Sequence, residues 1–285
     1  MGAVYSIVGV GFSLIFGVMQ ILNFAYGEFY MLASYMIFFL YGDFHFPLLW
    51  ASLIVISTAF VAGIVTEKAL IKPLRNKGGN WVISVIIATL GLQIVLQNLA
   101  RLLWGGTYRG IPAYFTGSVR LGVLIASNER LFIFLVSLLV LLGIWLLINR
   151  SKLGLAIVAT AQNKEAAKLA GIHTDRIYTI TFGISIALIS IAAILLMPIL
   201  YVYPTVGVNP IMKAFAVTLL GGMGNITGAI FSGFILGIAE SLAGGYISAA
   251  TKDLVVFLVI IIILTFYPSG VGGFIVEMRA KWHKG

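Results

Sequence analysis

Three glutamates stand in or beside long apolar runs: Glu28, Glu67 and Glu240. An ionisable side chain inside a membrane is costly, and it marks an ion path, a proton relay or a ligand contact. Glu28 and Glu240 are the acidic candidates for such work. Glu67 adjoins Lys68 at the end of its run, where an interfacial role is expected, and Lys213 opens the segment that Glu240 closes. The other polar residues within the runs are mostly neutral: Asn23, Gln93, Gln97 and Asn98. Gln93 and Gln97 are one helical turn apart and share a face. Such groups either line a path for a polar solute or hydrogen-bond between helices, and spacing leaves both open. The candidate pathway set is therefore Asn23, Glu28, Gln93, Gln97 and Lys213.

The groups needed for covalent or hydrolytic chemistry are missing. Cysteine is absent, which removes thiolate nucleophiles, disulfides and thiolate metal sites. His45, His173 and His283 are far apart in sequence, so no metal centre is expected. Neither H-E-x-x-H nor G-x-S-x-G occurs. The stretch GGMGNITG at 221–228 is Gly-rich but lacks the Lys-Ser/Thr pair of a phosphate-binding loop, and it lies in an apolar region. The chain reads as neither an enzyme nor a cofactor carrier, and its energy source must lie elsewhere.

What positions these side chains is a body made for lipid. The 285 residues are 61% hydrophobic and 9% charged, against roughly 25% charged in soluble domains. A net charge of +9 without a basic stripe interleaved with aromatics does not indicate nucleic acid. It fits Lys and Arg collected on the cytoplasmic face of a membrane protein. A helix rising about 1.5 Å per residue crosses about 30 Å of hydrocarbon in roughly 20 residues. Runs at 3–22, 24–42, 48–67, 81–103, 131–149, 177–200 and 252–268 qualify. The first has no positive leader and no small-residue cleavage site, so it reads as a true span and not a signal peptide.

Basic residues then fix the orientation. Segment 68–80 carries Lys68, Lys72, Arg75 and Lys77. Segment 150–176 carries Arg150, Lys152, Lys164, Lys168 and Arg176, and the tail carries Arg279, Lys281 and Lys284. These hold twelve of the eighteen basic residues, which puts them in the cytoplasm and the N-terminus outside. The stretch 211–245 must then begin and end outside. Gly221-Gly222-Met223-Gly224-Asn225 interrupts it, and the piece before the break is too short to cross alone. A re-entrant pair, or two short helices meeting at depth, is expected, since irregular backbone at that depth survives only where protein or a cavity surrounds it. Gly224, Gly228 and Ser232, and likewise Gly233, Gly237 and Ser241, recur every fourth residue, a stripe that lets helix backbones approach. No internal repeat is visible by eye, and residues 1–285 read as one transmembrane domain.

One segment is not greasy: AQNKEAAKLAGIHTDR at 161–176, between two of the most apolar runs. Ala, Lys, Glu and Leu favour helix, and Gly171 is a stop signal, so a helix of about three turns on the cytoplasmic side is expected. The spacing Glu165-Ala166-Ala167, three residues, Gly171 resembles the coupling-loop motif of ABC-transporter permeases. The Ile-x-Leu-Pro that commonly follows is absent, with Thr181 at the position of the Ile. Asn23-Phe24-Ala25-Tyr26-Gly27-Glu28 is similar to the Asn-Phe-Ala-His-Gly-Glu signature of LivH-type branched-chain amino-acid permeases, with Tyr26 for His. EKALIKPLR (67–75), GLQIVLQN (91–98), MKAFAVTLLGG (212–222), GMGNITGAIFSGFILGIAE (222–240) and YPSGVGG (267–273) resemble the same family.

The resemblance implies an all-α polytopic helix bundle of about eight spans, with a re-entrant or broken-helix element near 211–243, like type II ABC importers. It implies a permease without its own ATPase. Its partners would be a second, LivM-like permease subunit, two cytoplasmic ATPase subunits and an extracytoplasmic solute-binding protein, with membrane lipid around them. Residues 151–172 would be the coupling loop, flanked by Gly154 and Gly171, and Gly224, Gly228, Gly233 and Gly237 would pack helices. Solute would enter at a mouth built by the loops 41–47, 104–130 and 201–212 and pass Asn23, Gln93 and Gln97. A permease for urea or another small solute and an ion-coupled carrier are the alternatives.

Overall fold

In the computed structural model the described residues are 1–121, 124–246, 248, 252–266, 270 and 272–273. The basic tail and much of the YPSGVGG stretch lie outside them. Twelve α-helices occur among these residues: α1 (Gly2–Met19), α2 (Tyr26–Ile37), α3 (Leu48–Thr66), α4 (Lys72–Asn76), α5 (Trp81–Trp104), α6 (Asn128–Arg150), α7 (Lys152–Gln162), α8 (Lys164–Leu169), α9 (Thr174–Leu196), α10 (Val208–Gly221), α11 (Ile226–Tyr246) and α12 (Lys252–Phe266). π-helical turns extend α2 over Phe38–Asp43 and join α3 to α4 over Glu67–Ile71. A small hairpin, β1 (Ser118–Leu121) with β2 (Leu124–Ser127), precedes α6. Six of the described helices are long and apolar enough to cross a membrane, and the chain is a multi-pass membrane protein.

The core is built where side chains are small. α1 and α9 lie at the centre, each 78% buried along its apolar window, whereas α5 is 11% buried. α3 presents Ala51, Val55, Ala59 and Gly63 at every fourth position, and this thin stripe is its buried face. Gly63 lies against Gly183 of α9. On the other side of the core, Gly233 of α11 abuts Ser6 of α1, and Gly237 abuts Gly2. Ser6 Oγ donates to Ile230 O at 2.8 Å across the same seam. Large apolar side chains such as Leu53, Val61, Ile87 and Leu139 point outward, as lipid-facing residues must.

The break expected near 221–225 is present, and its geometry is specific. α10 spans about 21 Å and cannot cross alone, whereas α11 spans about 32 Å and can. The element is thus one half-length helix followed by a full span, not two short helices. α10 starts inside the bundle, where Gly207 meets Gly27 at the start of α2. It runs antiparallel to α11 about the turn at 222–225. Gly224 lies in that turn with φ +83°, outside α11, against Gly17. The glycine stripe therefore begins at Gly228, which abuts Gly221.

Two halves of the chain share one plan. The order long helix, irregular linker, helix starting at a buried glycine, long helix describes α1–α2–α3 and again α9–α10–α11. The halves pack crosswise: α1 runs antiparallel to α11, α3 antiparallel to α9, and α1 packs beside α9. Gly27 and Gly207, at the starts of α2 and α10, face each other. This is an inverted repeat about an axis lying across the helices. No shared residue pattern announces it.

Candidate functional site

Two regions hold the residues singled out above. The first forms where α2 begins. After α1, Gln20 takes a left-handed conformation (φ 55°), and its N–H returns to Phe16 O. The chain then runs irregularly over residues 20–25 back into the bundle. Phe24 N–H donates to Thr89 Oγ1 of α5 at 3.3 Å. Asn23 Oδ1 accepts from Ala25 N–H at 3.1 Å, which holds its amide at the N-terminal end of α2. Asn23 is fully buried, and its Nδ2 finds no protein partner among the described residues.

Glu28 is the third residue of α2 and is also buried. Its Oε1 accepts from Gln97 Nε2 of α5 at 2.8 Å, and its Oε2 is left without a protein partner among the described residues. Tyr26 anchors the same turn: its hydroxyl lies 3.1 Å from Val8 O and 3.3 Å from Ser185 O, one carbonyl from each half of the fold. The helix start thus holds a carboxyl oxygen, an amide donor and the positive end of a helix dipole within one turn. That set can hold both ends of a zwitterion. Gln93 sits one turn before Gln97 and is half-buried. Lys213 is not in this group. It lies 3.2 Å from Glu240 of α11 and 5.6 Å from the Tyr5 ring.

The second region is the polar insert. It is two helices, α7 and α8, not the single helix expected over 161–176. Asn163 leaves helical geometry (φ −154°, ψ 104°), and its Oδ1 caps α8 by accepting from Ala166 N–H at 3.0 Å. Residues 174–176 belong to α9. Ser151 makes the corner from α6 to α7, donating to Leu147 O at 2.6 Å and accepting from Gly154 N–H at 2.9 Å. Gly154 lies so close to Leu147 O and Ile148 O that a Cβ has no room. Glu165 and Ala166 face outward, Ala167 is buried, and Gly171 ends α8 with φ +82° in open space. Leu169 is 91% exposed on this charged segment. A cleft of about 520 Å³ separates α7 from α1 and the 223–227 turn.

The structure also joins residues that sequence spacing left apart. Glu67 is fully buried in the protein and pairs with Arg75 at 3.1 Å. The three loops expected at the mouth do gather at one end. Tyr41 packs on Tyr114 at 5.0 Å, and Arg109 bridges to Val202. Tyr114 OH donates to Ile194 O at 2.9 Å. Burial, with Tyr41 and Glu129 nearby, pushes this phenol well above its ordinary pKa, so it remains a donor.

Residues 1–264 match the family described as branched-chain amino acid transport system / permease component. The high-affinity branched-chain amino acid transport system permease protein BraD of Pseudomonas aeruginosa is 34% identical, over 95% of this chain and 92% of its own. LivH of Escherichia coli K12, a permease of the same description, is 32% identical over 96% of this chain and 92% of its own. The autoinducer 2 import system permease LsrC of Yersinia pseudotuberculosis is 32% identical over 56% of this chain. No solved structure matches.

Proposed function

Because the chain belongs to the branched-chain amino acid transport permease family, we propose that it is a permease subunit of an ATP-driven importer of branched-chain amino acids. The match over residues 1–264 carries this assignment. The chain pairs with a LivM-like permease, two cytoplasmic ATPase subunits and an extracytoplasmic binding protein. It sits in the cytoplasmic membrane with the insert and the C-terminus inside and the N-terminus outside. In support, Arg75 at the end of α4 meets Asp175 at the start of α9, so two of the three basic segments lie on one face.

The solute passes the start of α2. Glu28 Oε2 accepts from its ammonium, while Asn23 Nδ2, at the positive end of α2, donates to its carboxylate. Phe24 and Phe215, 5.5 Å apart, give the nearby wall an apolar surface for the aliphatic side chain. The exposed face of α8, with Glu165, Ala166 and Leu169, seats in an ATPase cleft. Closure of the ATPase dimer displaces α7–α8 as a body and rotates α6 and α9 with it.

Radiolabelled leucine uptake by the complete complex in proteoliposomes tests the reading. Uptake should require ATP, the binding protein and both ATPases. Accumulation by this chain alone under an ion gradient would instead establish a secondary carrier. Flux of urea without leucine would move the assignment to another solute.

A further inference from the structure

Charge is buried a second time in this chain, where α3 passes into its π-helical turn. Glu67 is inaccessible to solvent, and both carboxylate oxygens are engaged: Oε1 by Arg75 Nη1 at 3.1 Å and Oε2 by Thr179 Oγ1 at 2.7 Å. Arg75, its side chain 5% exposed, spends its second nitrogen on Asp175 Oδ1 at 3.1 Å. Lys72 Nζ reaches the other Asp175 oxygen at 3.6 Å. The Arg75 guanidinium lies over the Tyr178 ring at 4.4 Å, and Lys164 Nζ lies 5.3 Å from the same ring. Lys164 is the first residue of α8.

Buried ion pairs of this kind add little to stability compared with packed apolar residues. Their effect is geometric, because a planar guanidinium held by two carboxylates fixes distance and angle together. Here the two carboxylates belong to different halves of the inverted repeat, Glu67 to the π turn that continues α3 and Asp175 to α9. The π turn before Arg75 is the kind of local irregularity that recurs at functional positions.

We propose that Arg75 is a positioning residue of energy coupling: it locks the base of α9 to the end of α3, so that a push on α8 moves both halves of the fold. The contact path is Lys164, Tyr178, Arg75, Glu67. α3 and α9 also touch along the Gly63–Gly183 seam, but that contact is apolar and can slide, whereas the guanidinium fork holds distance and angle. This role of Arg75 rests on the reading of α7–α8 as the segment that an ATPase grips.

The test uses the complete transporter in proteoliposomes and reads solute moved per ATP hydrolysed. Arg75→Lys keeps the charge and loses the fork; Glu67→Leu with Arg75→Met removes both charges and keeps the packing. Both should hydrolyse ATP at near the parent rate and lose about tenfold in the transport-to-ATP ratio. A double variant that assembles and transports with the parent ratio overturns the proposal.

Because the chain has no cysteine, spin labels at Ala69→Cys and Arg176→Cys, in partners stripped of their own, give a second readout. The distance should stay constant through the nucleotide cycle in the parent and spread in Arg75→Lys. A parent distance that changes with nucleotide also overturns the lock. Glu165→Lys serves as the control on the insert. If it leaves the ratio at the parent value, the α8 assignment fails and the lock fails with it. If it uncouples while the double variant does not, the lock alone fails.

Discussion

Gly27 and Gly207 touch backbone to backbone: a methyl group on either would run into the carbonyl oxygen of the other. The contact joins the starts of α2 and α10. Neither side can yield, because the obstructing atoms belong to main chain and not to a side chain that could turn away. Gly27→Ala or Gly207→Ala should therefore destabilise by about 2–3 kcal/mol, the upper range for overpacking. The midpoint of thermal unfolding in detergent measures it. Gly143→Ala, inside α6 with open space around it, should not destabilise and should gain up to about 1 kcal/mol of helix propensity.

Gln97→Leu removes the donor on Glu28 Oε1 and leaves a buried carboxylate with neither oxygen engaged by protein. Truncating one partner of a buried charged hydrogen bond costs about 2–5 kcal/mol. Leucine uptake by the assembled complex should fall about thirtyfold or more, by the lower end of that cost. Glu28→Gln, which keeps an amide partner for Gln97 but removes the charge, should also fail to transport. Normal uptake by both variants would move the pathway elsewhere.

Gly154→Ala places a Cβ against Leu147 O and Ile148 O at the corner between α6 and α7. The corner must open, which tilts α7 away from α1. Membrane insertion should persist, while uptake falls and ATP hydrolysis by the complex continues. Parallel assays of membrane yield, leucine uptake and phosphate release separate the three.

Asn163→Ala removes the cap of α8 and should cost about 1 kcal/mol locally. The expected signature is faster hydrogen exchange at residues 164–169. At Gly171 the left-handed backbone has space but no tolerance for a Cβ, so Gly171→Ala should cost roughly 1 kcal/mol and Gly171→Asn less. Uptake should follow the same order.

Some of this was legible in the residues. Hydrocarbon thickness dictates run length, so the spans at 3–22, 48–67, 81–103, 131–149 and 177–200 and the interruption at 222–225 could be read directly, whereas the runs 24–42 and 252–268 are not among the described helices long and apolar enough to cross. The pairing of Glu28 with Gln97 could not, although each stood out alone, because they are 69 positions apart. Glu67 and Asp175 meet through Arg75, which lies 100 positions before Asp175 and follows a π turn that no residue type encodes. The split of the insert did carry a signal. Asn163 is a favoured cap residue ahead of Lys-Glu-Ala-Ala, but the strong helix formers around it hide the boundary. The inverted repeat left no residue trace, since each half needs only small residues at the crossing points, and Gly, Ala and Ser serve equally.

A molecule whose two parts are interchanged by a half-turn has a mirror partner for each of its shapes. Let the first part take on the posture of the second, and the second that of the first, and an opening to one side of the bilayer becomes an opening to the other. Because the residues of the two halves differ, the two shapes are related in form and not in energy, and the differences between the halves set which shape is the lower.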